Sequence, residues 1–176
     1  LSDTLTFRSP TATERDRNAA QKLAVMAKLA SASDSPEQVM RAIGEFGQQL
    51  LAAGAGLGMR PVEEIVNTDI KYYENNGAKV GIAQVEVANL SELAPRLEAL
   101  SEALEELTKS QKLTLAVLMV TDVVLGNSRL VVAGQQRVVA TLPYARLDDD
   151  TLDAPGIMSR KKQLLPTVLA ALSQSV

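Results

Sequence analysis

Leucines at 90, 93, 97, 100, 104 and 107 fall on one face of a helix, and Glu98, Glu102, Glu105, Glu106 and Lys109 fall on the other. That spacing predicts an amphipathic helix with a solvated acidic side. Leu113 to Val124 follows, apolar nearly throughout and too short for another long helix, as expected of a strand inside a sheet covered on both faces. Upstream the period changes to two: Val80, Ile82, Val85 and Val87 surround Gly81 and Gln84 in a predicted strand that begins near Lys79, after an Asn75-Asn76-Gly77 turn. Arg129–Ala133 and Arg137–Thr141 read as two further strands joined by Gly134-Gln135-Gln136. A last helix is marked by Leu164, Leu165, Val168, Leu169 and Leu172, with Pro166 tolerable only in its first turn.

The first third of the chain is helical in pattern. Thr13 or Thr11 caps a stretch from Glu14 to about Ala32, and Ser33-Asp34-Ser35-Pro36 ends it and opens a second helix that runs to about Ala53. Gly54, Gly56 and Gly58 have the spacing of a nucleotide-binding loop, but a helix and no strand precedes them, so a helix stop is the better reading. Pro61 to Val66 predicts a short helix leading into Asp69-Ile70-Lys71-Tyr72-Tyr73. Asp148, Asp149 and Asp150 lack the alternating spacing and closing Glu of a calcium loop and read as an exposed acidic turn. The expected fold class is α/β, a mixed β-sheet flanked by helices, preceded by a helical N-terminal third.

Composition narrows the chemistry. The chain has no Cys and no His among its 176 residues, which excludes disulfides, thiolate chemistry, a Ser-His-Asp triad and the usual zinc sites. Any metal must be held by carboxylates. A net charge of −3 with 3% aromatic residues and no Trp argues against a nucleic-acid surface. The longest apolar run is interrupted by Thr114, Thr121 and Asp122 and falls short of the roughly 20 residues that cross a bilayer, so no membrane partner is expected. A reducing, cytoplasmic setting is the expectation. Because residue 1 is Leu and the chain opens in mid-phrase, it reads as a fragment.

The feature that stands out chemically is Ser159-Arg160-Lys161-Lys162-Gln163, three cations where the last helix starts. A helix N-terminus already carries partial positive charge and unpaired N–H groups, so cations there are unfavourable unless an anion joins them. A bare basic triplet is more often a solvated surface run. Here the turn Ala154-Pro155-Gly156 and the apolar step Ile157-Met158 would hold it on a rigid lip, and the Arg fork with the compact Lys charges suits a phosphate.

Taken in order, Leu1-Ser2-Asp3-Thr4-Leu5, Phe7-Arg8-Ser9-Pro10-Thr11, Asp69-Ile70-Lys71, Ile82-Ala83-Gln84-Val85, Val120-Thr121-Asp122 and Ser159-Arg160-Lys161-Lys162-Gln163 resemble family II (manganese-dependent) inorganic pyrophosphatases. The resemblance implies a DHHA2 substrate-binding domain over residues 13–176, in a helical part 13–75 and an α/β part 76–176. Residues 1–12 would be the end of a DHH domain and its linker. It further implies that Asp3 is a metal ligand and that Lys71, Arg160 and Lys161 bind the phosphates of pyrophosphate and act in catalysis, with Ser159 and Lys162 in supporting contact. The implied cofactor is manganese, with cobalt or magnesium as alternatives, in a two-metal centre held mostly by the DHH domain. The implied partners are pyrophosphate and that domain, in a homodimer when the protein is full length; the fragment alone would be inactive and could be a monomer. Arg8 stands where many relatives have Lys, and the connection around Ser31 to Glu37 is longer than in relatives. An exopolyphosphatase or nucleotide phosphodiesterase of the DHH superfamily, or a non-catalytic phosphate-binding regulatory module, are the alternatives.

Overall fold

A computed structural model describes residues 1, 4, 6–54, 56–58 and 60–174. The chain divides into two compact units, Leu1–Ala55 and Gly56–Val176.

The first unit pairs α1 (Glu14–Met26) with α2 (Pro36–Gly54) around Ala24, Val39 and Ile43, with Leu1, Phe7, Ala20, Ala30 and Met40 packed against them. Thr13 caps α1 in a reciprocal box: Asp16 N–H donates to the Thr13 hydroxyl at 3.3 Å, and Thr13 N–H donates to the Asp16 carboxylate at 2.8 Å. Hydrogen bonds from the Thr13 hydroxyl and N–H hold the Asp16 carboxyl below its ordinary pKa. A depressed carboxyl pKa adds stability above the unfolded value, which is lost as the pH falls through the folded one. Ser35 and Gln38 repeat the box at the head of α2.

Helix α1 ends at Met26, not near Ala32. Lys28 has φ +59°, Lys28 N–H donates to Val25 O and Leu29 N–H donates to Ala24 O, the hydrogen-bond pair of a Schellman stop. Glycine usually occupies that left-handed position. With Lys there, the sequence carries no stop signal.

The second unit is a six-stranded mixed sheet in the order β1-β2-β3-β4-β6-β5. Its strands are β1 (Lys71–Asn75), β2 (Ala78–Val87), β3 (Leu115–Asp122), β4 (Asn127–Gly134), β5 (Ala145–Arg146) and β6 (Thr151–Ala154). Only β2 and β3 run parallel; the other pairs are antiparallel. Helices α3 (Val62–Val66) and α4 (Leu97–Ser110) cover one face, where Leu100, Leu104 and Leu107 meet Ala83, Val85, Leu118, Val120 and Val131. The short α5 (Gln136–Val139) and the C-terminal α6 (Leu165–Gln174) cover the other, where Val138, Leu164, Val168 and Leu172 meet Val80, Ile82, Val117, Met119 and Leu130. Every residue of β3 is buried, as its unbroken apolar run requires.

The structure corrects two local expectations and adds two short strands. Arg137–Thr141 is not a strand. Gly134 breaks β4 at φ +136°, and Val138 and Val139 are then buried on the helical turn of α5. The helix expected from Leu90 begins at Leu97, since Pro95 lacks the N–H that helix would need there and the chain passes it in two 3₁₀ turns. The acidic turn is exposed as expected, and it forms the tip of a β5–β6 hairpin whose second arm, β6, pairs with β4. Lys71–Asn75, given no element by its largely exposed pattern, is the edge strand β1. It joins β2 through Asn76 (φ +51°) and Gly77 (φ +77°), the left-handed pair of a tight hairpin turn. No helix among the described residues is long and apolar enough to cross a membrane.

At Gly134 a Cβ would lie 2.9 Å from Leu115 Cα and collide with Thr114 O, at a backbone angle that L-residues avoid. Gly134→Ala is expected to cost about 2–3 kcal/mol, read from the shift in urea unfolding midpoint at constant slope.

Candidate functional site

The carboxyl ends of β2 and β3 lie on one edge of the sheet, the position where open α/β sheets bind ligands. Three chain segments converge short of that edge, beside the middle of β2. The turn after α3 brings Asp69, β1 begins with Lys71 opposite Ile82, and the segment after β6 brings Ser159 to Gln163.

The basic segment opens the last helix as expected, but with a wider turn. Leu164 N–H reaches back to Ser159 O in the i→i−5 pattern of a π turn over Arg160–Leu164, before α6 starts at Leu165 with Pro166 in its first turn. Ser159 is buried and caps this turn, its hydroxyl accepting the Lys162 N–H at 3.2 Å. Gln163 braces the approach. Its Oε1 accepts the N–H groups of Met158 and Ser159, both at 2.9 Å, and its Nε2 donates to Gly156 O at 3.0 Å. Ser128 Oγ donates to Ile157 O at 2.6 Å, and Gly156 N–H donates to Asn127 Oδ1 at 3.0 Å, so the lip is tied to β4.

Arg160 points from this lip onto the β1–β2 edge. Its Nη1 donates to Asp69 O and to Ile82 O, the latter at 3.3 Å, and its Nη2 lies 3.0 Å from Asp69 Oδ2. The side chain is only 12% exposed, and its Nε is buried with no acceptor. Lys71 Nζ lies 3.2 Å from the other Asp69 oxygen, Oδ1. One carboxylate therefore gathers Lys71 and Arg160, which are far apart in sequence. Lys161 and Lys162 are exposed beside them on the first turn of the helix. Asp3 lies outside the described residues, so its surroundings are not part of this geometry.

The glycine cluster is not a phosphate loop. Gly56 N–H donates to Glu86 O at 2.8 Å, and Leu57 N–H donates to the Glu92 carboxylate at 3.1 Å. These two N–H groups are therefore not available to a phosphate.

The profile of the DHHA2 domain matches residues 48–171. The chain belongs to the DHHA2 domain family. Over 166 residues it is 36% identical to the manganese-dependent inorganic pyrophosphatase of Methanocaldococcus jannaschii, a match covering 94% of this chain and 50% of that protein. It is 32% identical over 177 residues to the cobalt-dependent inorganic pyrophosphatase of Clostridium perfringens, covering 100% of this chain and 30% of that one. A solved Methanococcus jannaschii chain, described as a family II inorganic pyrophosphatase, superposes with a TM-score of 0.79 at 35% identity and covers 98% of this chain and 52% of its own. The DHHA2 chain thus spans about half the length, or less, of these relatives.

Two residues of the site were not singled out in the sequence. Asp69 and Gln163 sit inside quoted motifs, but pattern alone gives an acid between a helix and a strand, or a Gln within a basic run, no special role. Among the described residues no three Asp or Glu side chains converge as a metal site would need. They do not form a manganese site by themselves.

Gln163→Ala removes three hydrogen bonds from the lip and is expected to lower stability by about 2 kcal/mol, measured by thermal unfolding.

Proposed function

We propose that this chain is the substrate-binding portion of a metal-dependent inorganic pyrophosphatase, which hydrolyses pyrophosphate with water to two phosphates. The observation that carries the reading is the placement of Lys71 and Arg160 on one carboxylate beside the middle of β2, with Lys161 exposed next to Arg160 in sequence. The relatives' printed activities supply the substrate.

Pyrophosphate carries several negative charges that repel an attacking water. Lys71, Arg160 and Lys161 bind phosphoryl oxygens and offset the charge that develops on both phosphoryl groups as the bridging P–O bond breaks. Ser159 shapes the turn from which Arg160 and Lys161 project, and Lys162 adds to the positive field at the helix start. Manganese, cobalt or magnesium is the proposed cofactor and would supply Lewis acidity. Asp3 is proposed as its one ligand from this chain, with the remaining ligands in a DHH domain that precedes the DHHA2 domain and forms the homodimer contact.

In the full-length protein with Mn²⁺, Lys71→Ala, Arg160→Ala and Lys161→Ala are each expected to lower kcat/KM for pyrophosphate by roughly 10²-fold, through both a raised KM and a lowered kcat. Unchanged steady-state kinetics in all three would refute the assignment.

The chain of 176 residues assayed alone is expected to show no turnover, and the full-length protein to prefer pyrophosphate over tripolyphosphate. A preference for tripolyphosphate would point to a polyphosphatase instead. Hydrolysis of neither by the full-length protein would point to a phosphate-binding module.

A further inference from the structure

We propose that Asp69 is the positioning residue that assembles Lys71 and Arg160 into one anion-binding pair before substrate arrives. The inference rests on the pyrophosphatase reading and deepens it.

Asp69 occupies a turn fixed from both sides. Thr68 N–H donates to Ile65 O at 3.0 Å, and Gln84 N–H on β2 donates to Thr68 O at 3.2 Å. Asp69 itself has φ +44°, a left-handed conformation that Asp and Asn tolerate better than most side chains. From there its two carboxylate oxygens divide the labour. Oδ1 lies 3.2 Å from Lys71 Nζ, and Oδ2 lies 3.0 Å from Arg160 Nη2, while the Asp69 backbone carbonyl accepts from Arg160 Nη1.

Two cations brought to one place repel each other. Lys71 is 56% exposed and would turn outward, and Arg160, almost buried, would lose its only counter-charge among the described residues. The carboxylate offsets both effects with a group that, like a phosphoryl group, offers oxygens to two donors at once. The carboxylate takes one N–H of Nη2 while the Asp69 backbone carbonyl takes Nη1, so Arg160 keeps an N–H of Nη2 for an incoming anion. Lys71 keeps further N–H donors in the same way. Asp69 touches no reacting atom in this scheme; it acts through the two cations.

Presetting a site reduces the cost of binding substrate and transition state alike, so its loss appears mainly in KM. Asp69→Asn keeps the left-handed backbone and removes the charge. In the full-length protein with Mn²⁺ and pyrophosphate, it is expected to raise KM about tenfold and change kcat less than about threefold. Added to Lys71→Ala, it is expected to raise KM by clearly less than it does alone, because part of its effect passes through Lys71. A role in folding alone would lower the melting temperature and the active fraction, leave KM unmoved and add independently to Lys71→Ala. Asp69→Ser serves the same comparison if the Asn variant does not fold. An unchanged or lowered KM, or full additivity with Lys71→Ala, would overturn the inference while impaired Lys71→Ala and Arg160→Ala variants keep the pyrophosphatase reading intact. Wild-type kinetics in those two variants would remove both.

Discussion

Complete burial of β3 is the constraint on which the second unit depends. A strand apolar on both faces cannot border water on either, so the sheet must be covered twice, by α3 and α4 on one side and by α5 and α6 on the other. The parallel β2–β3 pair follows from α4 serving as the connection between them. Parallel pairing in turn places both carboxyl ends on the same edge, where backbone groups and loops face outward together.

The candidate site lies beside the middle of β2, and its basic segment reaches it from that edge. The chain leaves β6 at the same edge, crosses a lip braced by Gln163 and Ser128, and enters the last helix through a π turn that starts with its cations. Cations at a helix start are unfavourable in isolation. Arg160 is accommodated because it turns away from the helix, onto the Asp69 carboxylate and two strand-edge carbonyls. The nearly buried guanidinium and the exposed Lys71 and Lys161 differ in how they are held: one is fixed by three acceptors, and the others can follow a ligand.

Much of this was legible in the pattern. Strands β2, β3 and β4, helices α2 and α4 and the final helix all have periods that read directly, and the basic segment was visible as an anomaly of charge against helix polarity. The misreadings have local causes. Lys28 performs a turn that glycine usually marks, Pro95 delays α4, and Arg137–Thr141 carries β-branched residues that pack on a helical turn once Gly134 has broken the strand. The edge strand β1 and the hairpin arm β6 exist because β2 and β4 offer unpaired backbone edges, and short, partly polar segments fill them.

Sequence by itself determined the α/β class, the doubly buried central strand, the helix faces and the identity of the cations, since these depend on periodicity and residue chemistry that are local along the chain. Only the tertiary structure decided that Asp69 joins Lys71 to Arg160 and that Gln163 braces the lip. Those contacts depend on distances across the fold: charge pairs and hydrogen bonds act over a few ångströms, and strand order, with the loops at its edge, sets which residues come that close.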